Sequence, residues 1–84
     1  MSRAQKLVNK TIEILQRRLD NHLNDQKALV EIRALVDRTE DHGIGRASEQ
    51  VKLVRKTIQQ HLENAITNQQ AMTELYRLFG LASK

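Results

Sequence analysis

Residues 19–36 read LDNHLNDQKALVEIRALV, and residues 62–79 read LENAITNQQAMTELYRLF. The two stretches share six identical residues in eighteen, and several other positions exchange like for like. In the chain as a whole, glutamine, leucine, lysine, arginine, glutamate and alanine dominate, and these residues are good helix formers. The two stretches therefore predict the same helical unit twice.

A second match lies upstream of each stretch. KLVNKTI at residues 6–12 agrees with KLVRKTI at residues 52–58 in six of seven positions. The second copy is three residues shorter between its two blocks, which is close to one helical turn and rotates an apolar stripe by only about 60°. In a strand, an odd deletion would turn the face over, so the spacing supports helices. We predict a single domain over residues 1–84, with repeat 1 over about residues 4–42 and repeat 2 over about residues 47–80.

Signals for helix ends are few. The chain has no proline, and its only glycines are Gly43, Gly45 and Gly80. Gly43 and Gly80 are each followed by an apolar residue, which is the pattern of a left-handed glycine that ends a helix. Ser2 opens a capping box with Gln5. The stretch before Gly43 and the stretch from Gly45 to Gly80 can therefore each be helical throughout.

The sequence leaves one architectural choice open. Asn24 and Thr67 occupy equivalent places in the two stretches, and Thr67 could open a second capping box with Gln70. Each repeat is either one helix of about nine turns or two shorter helices with a tight turn at these sites. The first case gives a long antiparallel hairpin, and the second gives a four-helix monomer. The heptad phase runs through both sites, which favours the hairpin.

Apolar residues beside the main seam predict self-association. The seam repeats every three or four residues, near the period of a coiled coil. A two-helix hairpin would leave the flanking apolar residues in water, so a further helix must cover them. We predict an all-α helical bundle formed by dimerisation, with a self-association or partner face of Leu7, Ile14, Val30, Leu53, Ile66 and Leu78.

The hairpin register also predicts a polar layer within the seam. Such a layer fixes the register of the helices, and we expect it to consist of His22, Gln26, His61, Asn68 and Gln69. A pH-sensitive oligomer is an alternative use of the histidines. A metal site is disfavoured, because the chain has no cysteine, no H-x-x-x-H pair and no E-x-x-H pair.

No catalytic constellation is recognisable. The carboxylates are scattered, the serines lie near ends and loops, and Gly43-Ile44-Gly45 is not followed by the lysine of a phosphate loop. A helix-turn-helix at Gly43 fails because Glu49 would occupy a buried position. We predict no enzyme and no cofactor. The remaining alternative is an enzyme with a composite site at a dimer interface, which would use His22, His61 and Arg18.

Charge gives the second functional hypothesis. The net charge is +4, and basic residues cluster in residues 1–18 and 46–56. In the hairpin, the second cluster lies beside Glu31, Asp37, Glu40 and Asp41, which can pair with it. The first cluster stays uncompensated, so we predict a phosphate-contacting face of Arg3, Lys6, Lys10, Arg17, Arg18 and Arg77. A solvated surface that keeps the chain soluble is the alternative.

These patterns favour a non-enzymatic interaction protein, such as an adaptor, inhibitor or assembly factor that binds a protein partner. A nucleic-acid-binding module that uses the N-terminal basic face is the alternative. The chain has no apolar run of membrane length and no N-terminal apolar segment, which predicts a cytoplasmic protein that does not bind membranes. The likeness to small helical-hairpin regulators and co-chaperones is one of architecture alone.

Overall fold

In a computed structural model, which describes residues 2–39 and 43–81, the chain forms a bundle of helices. The part of the chain so described contains four α-helices and no strand: α1 (Arg3–Leu19), α2 (Asp25–Arg38), α3 (Arg46–Leu62) and α4 (Asn68–Leu78). The prediction of an all-α fold is confirmed.

The helices are interrupted at both sites where the sequence left the choice open. The side chain of Asn24 accepts the backbone N–H of Lys27 at 2.8 Å and so caps α2. Thr67 caps α4 in a full capping box with Gln70. The favoured hairpin of two continuous helices is therefore wrong. A helix of about nine turns would be roughly 50 Å long, whereas the longest dimension of the molecule is 31 Å.

The two turns that cause these breaks have the same geometry. Asn21 and Asn64 have φ angles of 63° and 60°, and they occupy equivalent places in the two aligned stretches. Asparagine enters this left-handed region more readily than other non-glycine residues. In both turns the next N–H donates back to a carbonyl of the preceding helix at 2.9 Å, which completes a Schellman motif. A left-handed asparagine, rather than glycine, therefore ends α1 and α3.

The two glycine signals differ in outcome. Gly80 has a φ angle of 67°, and the N–H of Leu81 donates back into the last turn of α4 at 2.8 Å, which confirms the predicted helix end. Gly43 does not end a helix, because α2 already ends at Arg38 and the backbone is extended at the next residue. The prediction of a Schellman glycine there is wrong.

The helices pack around a central contact between α2 and α3. Helix α1 packs against both of them on one side, helix α4 packs against both on the other, and α1 and α4 barely touch. The α1–α2 and α3–α4 hairpins therefore form opposite edges of the bundle. The radius of gyration is 11.9 Å, and about 12 Å is expected for a compact single chain of this length.

Each helix buries one stripe at the helical period. Buried residues lie three or four apart, and Leu15, Ile32 and Leu75 are completely inaccessible. The apolar core of the described chain consists of Ala4, Leu7, Val8, Ile14, Leu15, Ala28, Leu29, Ile32, Val36, Val51, Val54, Ile58, Ala71, Met72, Leu75 and Tyr76.

The predicted self-association face does not exist as one surface. Leu7 and Ile14 belong to the core of the single chain, and Ile66 and Leu78 are half-buried against that core. Only Val30 and Leu53 stay largely exposed. The reason is the break within each repeat, which supplies the third and fourth helices from the same chain.

The predicted polar layer is also wrong as a core feature. His61 is half-buried, and the other four residues of the set are exposed. Because the helices end at Leu19 and Leu62, these residues lie in the turns or in the helix ends beside them. The Nε2 atom of His61 and the Oδ1 atom of Asn68 share a hydrogen bond across the second turn.

Candidate nucleic-acid interface

A continuous groove runs along the outer contact of α1 and α2. Its two halves share Lys10, Leu35 and Arg38. The first half, which we call the basic end of the α1–α2 groove, carries the four cations Arg3, Lys6, Lys10 and Arg38. The second half contains Glu13, Arg17 and Glu31 beside Lys10 and Arg38. Charge therefore changes along the groove from purely basic to mixed.

Helix geometry explains why the four cations meet. Arg3, Lys6 and Lys10 are three and four residues apart, so they share one face of α1. Helix α2 returns antiparallel after a short turn, which brings its last turn and Arg38 beside the first turns of α1. Arg38 also sits where the helix dipole favours a cation, and its Nε–H donates to the carbonyl of Ala34 at 3.2 Å.

The basic end differs from the rest of the bundle in its ion pairs. Within residues 2–39 and 43–81, none of its four cations forms an ion pair, whereas ion pairs join other basic residues of the bundle. Arg55 of α3 adds a fifth cation at the rim, since its guanidinium donates to the carbonyl of Thr39, which lines the groove. The result is a row of exposed cations that form no ion pair with any described carboxylate.

Two of the predicted phosphate contacts have acidic partners instead. Arg17 donates to Glu31 at 3.1 Å, and the Nε–H of Arg18 donates to the carboxylate of Asp25. The second pair ties the last turn of α1 to the first turn of α2. The sequence predicted that both arginines lack acidic partners, whereas each of them pairs with a carboxylate of α2.

Arg77 is placed differently from the prediction. It lies on α4, at the opposite edge of the bundle from the basic end, and pairs with Glu74 at 3.5 Å. The hairpin model put it beside the N-terminal cluster because that model paired α1 with the end of the chain. In the four-helix fold, α2 is the neighbour, so Arg38 takes this place. Sequence reasoning missed Arg38, and the cap at Asn24 was the signal that could have found it.

The pairing predicted for the second basic cluster is not found among the described residues. Lys52 pairs with Glu49 at 3.5 Å, and Asp37 pairs with Arg33 at 3.6 Å. Each of these pairs stays within one helix. Glu40 and Asp41, the other acids of that prediction, lie outside the described residues.

A more apolar groove lies between α2 and α3 near the start of α4. Leu29, Val30, Ile58 and Leu62 line it, together with Gln26, Arg33, His61 and Asn68. Val30 is 60% exposed and Leu62 is 44% exposed. Three members of the predicted polar layer therefore meet at this surface rather than in the core.

Burial changes the acid–base behaviour of the only tyrosine. Removal from water raises the pKa of Tyr76 above its usual value of 10.0, and the positive charge of Arg18 opposes part of this shift. The hydrogen bond to Asp25 raises the pKa of Arg18 itself. Arg18 thus carries its charge at the junction of α1, α2 and α4.

We expect Tyr76 to lose its proton at a higher pH in the folded chain than in the unfolded chain. Above about pH 10, the folded state then holds a proton that the unfolded state has lost. The contribution of Tyr76 to stability is therefore complete below about pH 10 and is lost as the pH rises beyond it. The chain has one tyrosine and no tryptophan, so ultraviolet absorbance reports this phenolate alone. A folded-state pKa at or below the value in denaturant would contradict the prediction.

A metal-holding cluster and a membrane-spanning helix are both absent from the described part of the chain. No group of three or more histidines, aspartates and glutamates there could hold a metal ion. In the same residues, no helix has the length and apolarity needed to cross a bilayer.

Comparisons with known proteins give no family assignment. Protein-family models, curated proteins and solved structures were searched, and none matches this chain.

Proposed function

We propose that this protein is a non-enzymatic binding module that holds the phosphate backbone of a nucleic acid at the basic end of the α1–α2 groove. One observation carries the proposal: four cations from two helices line one groove, and no described acidic residue pairs with them. Exposed lysines and arginines bind phosphates and release counterions, which supplies affinity without base recognition.

The dimensions of the basic end suit a duplex backbone. Arg3 and Lys10 are seven residues apart, which corresponds to about 10 Å along α1. A single strand of a duplex presents one phosphate per about 3.4 Å of axis, so this row spans roughly three phosphates. Arg38 projects from the neighbouring helix and widens the contact beyond a single line.

The ligand is a duplex rather than an unpaired strand. Proteins that hold single strands stack the bases on aromatic side chains. The chain has only two aromatic residues. Tyr76 is buried in α4 and Phe79 is half-buried against the core, so neither lies in the basic end.

The experiment that tests the proposal measures affinity for a fluorescently labelled duplex at increasing salt. With four phosphate contacts, the slope of log K against log salt is about −3.6, which corresponds to a loss of roughly 100-fold between about 50 and 200 mM salt. Affinity that does not change with salt, or no binding at the lowest salt, would refute the proposal.

The adaptor hypothesis remains a second candidate because of the apolar groove between α2 and α3. Val30 and Leu62 are exposed there beside the buried Leu29 and Ile58, which is the pattern of an apolar anchor site with polar residues at its rim. The exposed apolar flank that first suggested a partner is smaller than the sequence indicated, because two of its six residues, Leu7 and Ile14, lie in the core of the single chain. Light scattering after size exclusion tests self-association through this groove. A mass of one chain at every protein concentration would contradict self-association.

A further inference from the structure

Ile44 stands at the tip of the loop between α2 and α3. It is 96% exposed, which is the highest value among the large apolar residues of the described chain. Glycines flank it on both sides, and Gly45 has a φ angle of 121°, which glycine adopts without strain. A Cβ atom added at Gly45 would meet no atom within 4 Å, so the backbone there stands clear of the bundle. An apolar side chain in this position gains free energy when another surface covers it.

The apolar groove between α2 and α3 has room for such a side chain. The buried Leu29 and Ile58 line it together with the exposed Val30 and Leu62. Its volume is about 280 Å³, whereas a cavity of about 150 Å³ already holds benzene. A branched aliphatic side chain therefore fits in the groove.

The tip cannot reach the groove of its own chain. Ile44 precedes the first residue of α3, Arg46, by two residues, which span at most about 7 Å. Ile58 lies twelve residues beyond Arg46, which is about 18 Å along the helix axis. The tip and the groove are therefore at opposite ends of α3, and only another molecule can bring them together.

The loop and the groove are also complementary in charge. Arg33 and His61 line the groove, and its described lining contains no carboxylate. The loop sequence carries two carboxylates, Glu40 and Asp41, shortly before the tip. The Nε atom of Arg33 faces Asp37 at 3.6 Å, which leaves its terminal nitrogens as further donors. The loop of a second copy thus combines an apolar tip with charges opposite to those of the groove.

We propose that Ile44 of a second copy of this chain binds in the apolar groove between α2 and α3. This inference rests on the second candidate function, which is binding at this groove, and not on phosphate binding at the basic end. A single anchor makes a small contact, so its dissociation constant is about 1 mM, at the weak end of the range for proteins. At the micromolar concentrations of an unfolding experiment, the protein is therefore a single chain.

The test measures the average mass by sedimentation equilibrium, from about 10 µM to about 1 mM protein. Three variants each replace one exposed apolar residue with serine. Ile44→Ser removes the tip, and Val30→Ser changes the groove. Leu53→Ser is the control, because Leu53 is 47% exposed on α3 and does not line this groove. Circular dichroism verifies that each variant is folded.

We expect the mass of the wild type and of Leu53→Ser to rise above one chain. Ile44→Ser and Val30→Ser should each associate at least about fivefold more weakly, because each removes apolar area from the contact. An equimolar mixture of these two variants should regain association, since one retains the groove and the other retains the tip.

A mixture that associates no better than either variant alone would overturn the contact between tip and groove. A wild type that stays a single chain at about 1 mM would overturn it too, as would an equal loss in Leu53→Ser. Duplex binding is measured separately at micromolar protein, so failure of this contact and failure of phosphate binding at the basic end are distinguishable.

Discussion

Leu7→Ala should lower the free energy of unfolding by about 3 kcal/mol, within the range of about 2–5 kcal/mol for a buried leucine. Leu7 is 2% exposed and packs in the core of the single chain. The loss combines the transfer free energy of the deleted methyl groups with the cavity that they leave. For 84 residues, a total stability of roughly 4–13 kcal/mol is expected, so this change removes a large part of it. Urea unfolding followed by circular dichroism measures the effect.

Leu53→Ala is the matched control. Leu53 has the same place in KLVRKTI (residues 52–58) as Leu7 has in KLVNKTI (residues 6–12), but it is 47% exposed. The same chemical change there should cost less than about 1 kcal/mol, because much of the side chain is already in water. Equal effects at the two sites would contradict the packing described above.

The concentration dependence of unfolding distinguishes the single-chain bundle from a dimer of hairpins. In the dimer, Leu7 and Leu53 would both lie on the face between chains, and the unfolding midpoint would rise with protein concentration. In the single-chain bundle, the midpoint is independent of concentration. Unfolding curves at two protein concentrations that differ by about 100-fold are therefore part of the measurement.

The sequence predicted the helices better than their ends. The good helix formers and the apolar period of three or four residues are local signals, and the observed helices agree with both. The left-handed turns at Asn21 and Asn64 were missed because asparagine is a weaker marker than glycine for that conformation. A heptad phase that continues through a turn also misled the prediction, since each short helix carries its own apolar stripe.

The missed helix break at Asn24 also changed which residues were predicted to form the site. The sequence shows that Arg3, Lys6 and Lys10 share one helix face, because their spacing is a local property, and these residues form no ion pair with any described residue. Arg38 could not be found without the break at Asn24, which decides which helix end lies beside α1. Arg77 was included in the predicted face because the two-helix hairpin places the end of the chain beside α1. Long-range neighbours follow from chain topology, and a single turn changes them all.

The unequal burial of the two matching heptapeptides could not be predicted from the sequence. Ile58 is buried, whereas the corresponding Ile12 is half-buried, so α1 and α3 present different faces to the core. Nearly identical heptapeptides therefore have different surroundings. The rotation of each helix depends on how all four helices fill the core together, which no local pattern encodes.

The double variant Lys6→Gln, Lys10→Gln should lower the affinity for a duplex by roughly 50- to 100-fold at about 0.1 M salt. Each phosphate contact contributes close to a tenfold gain at this salt concentration through counterion release, and the variant removes two of them. The slope of log K against log salt should therefore change from about −3.6 to about −1.8. Both lysines are exposed, so the free energy of unfolding should stay within about 0.5 kcal/mol of the wild type.

The matched control is Lys27→Gln, Arg33→Gln. It also removes two positive charges, from exposed positions on α2 that do not line the α1–α2 groove. If affinity follows net charge alone, both double variants will lose the same amount, and the α1–α2 groove will have no special role. If the groove is the binding site, the control should lose less than about threefold, because its charges lie away from the bound backbone and are screened by salt. The difference between the two variants thus measures what the placement of Lys6 and Lys10 adds beyond a basic composition.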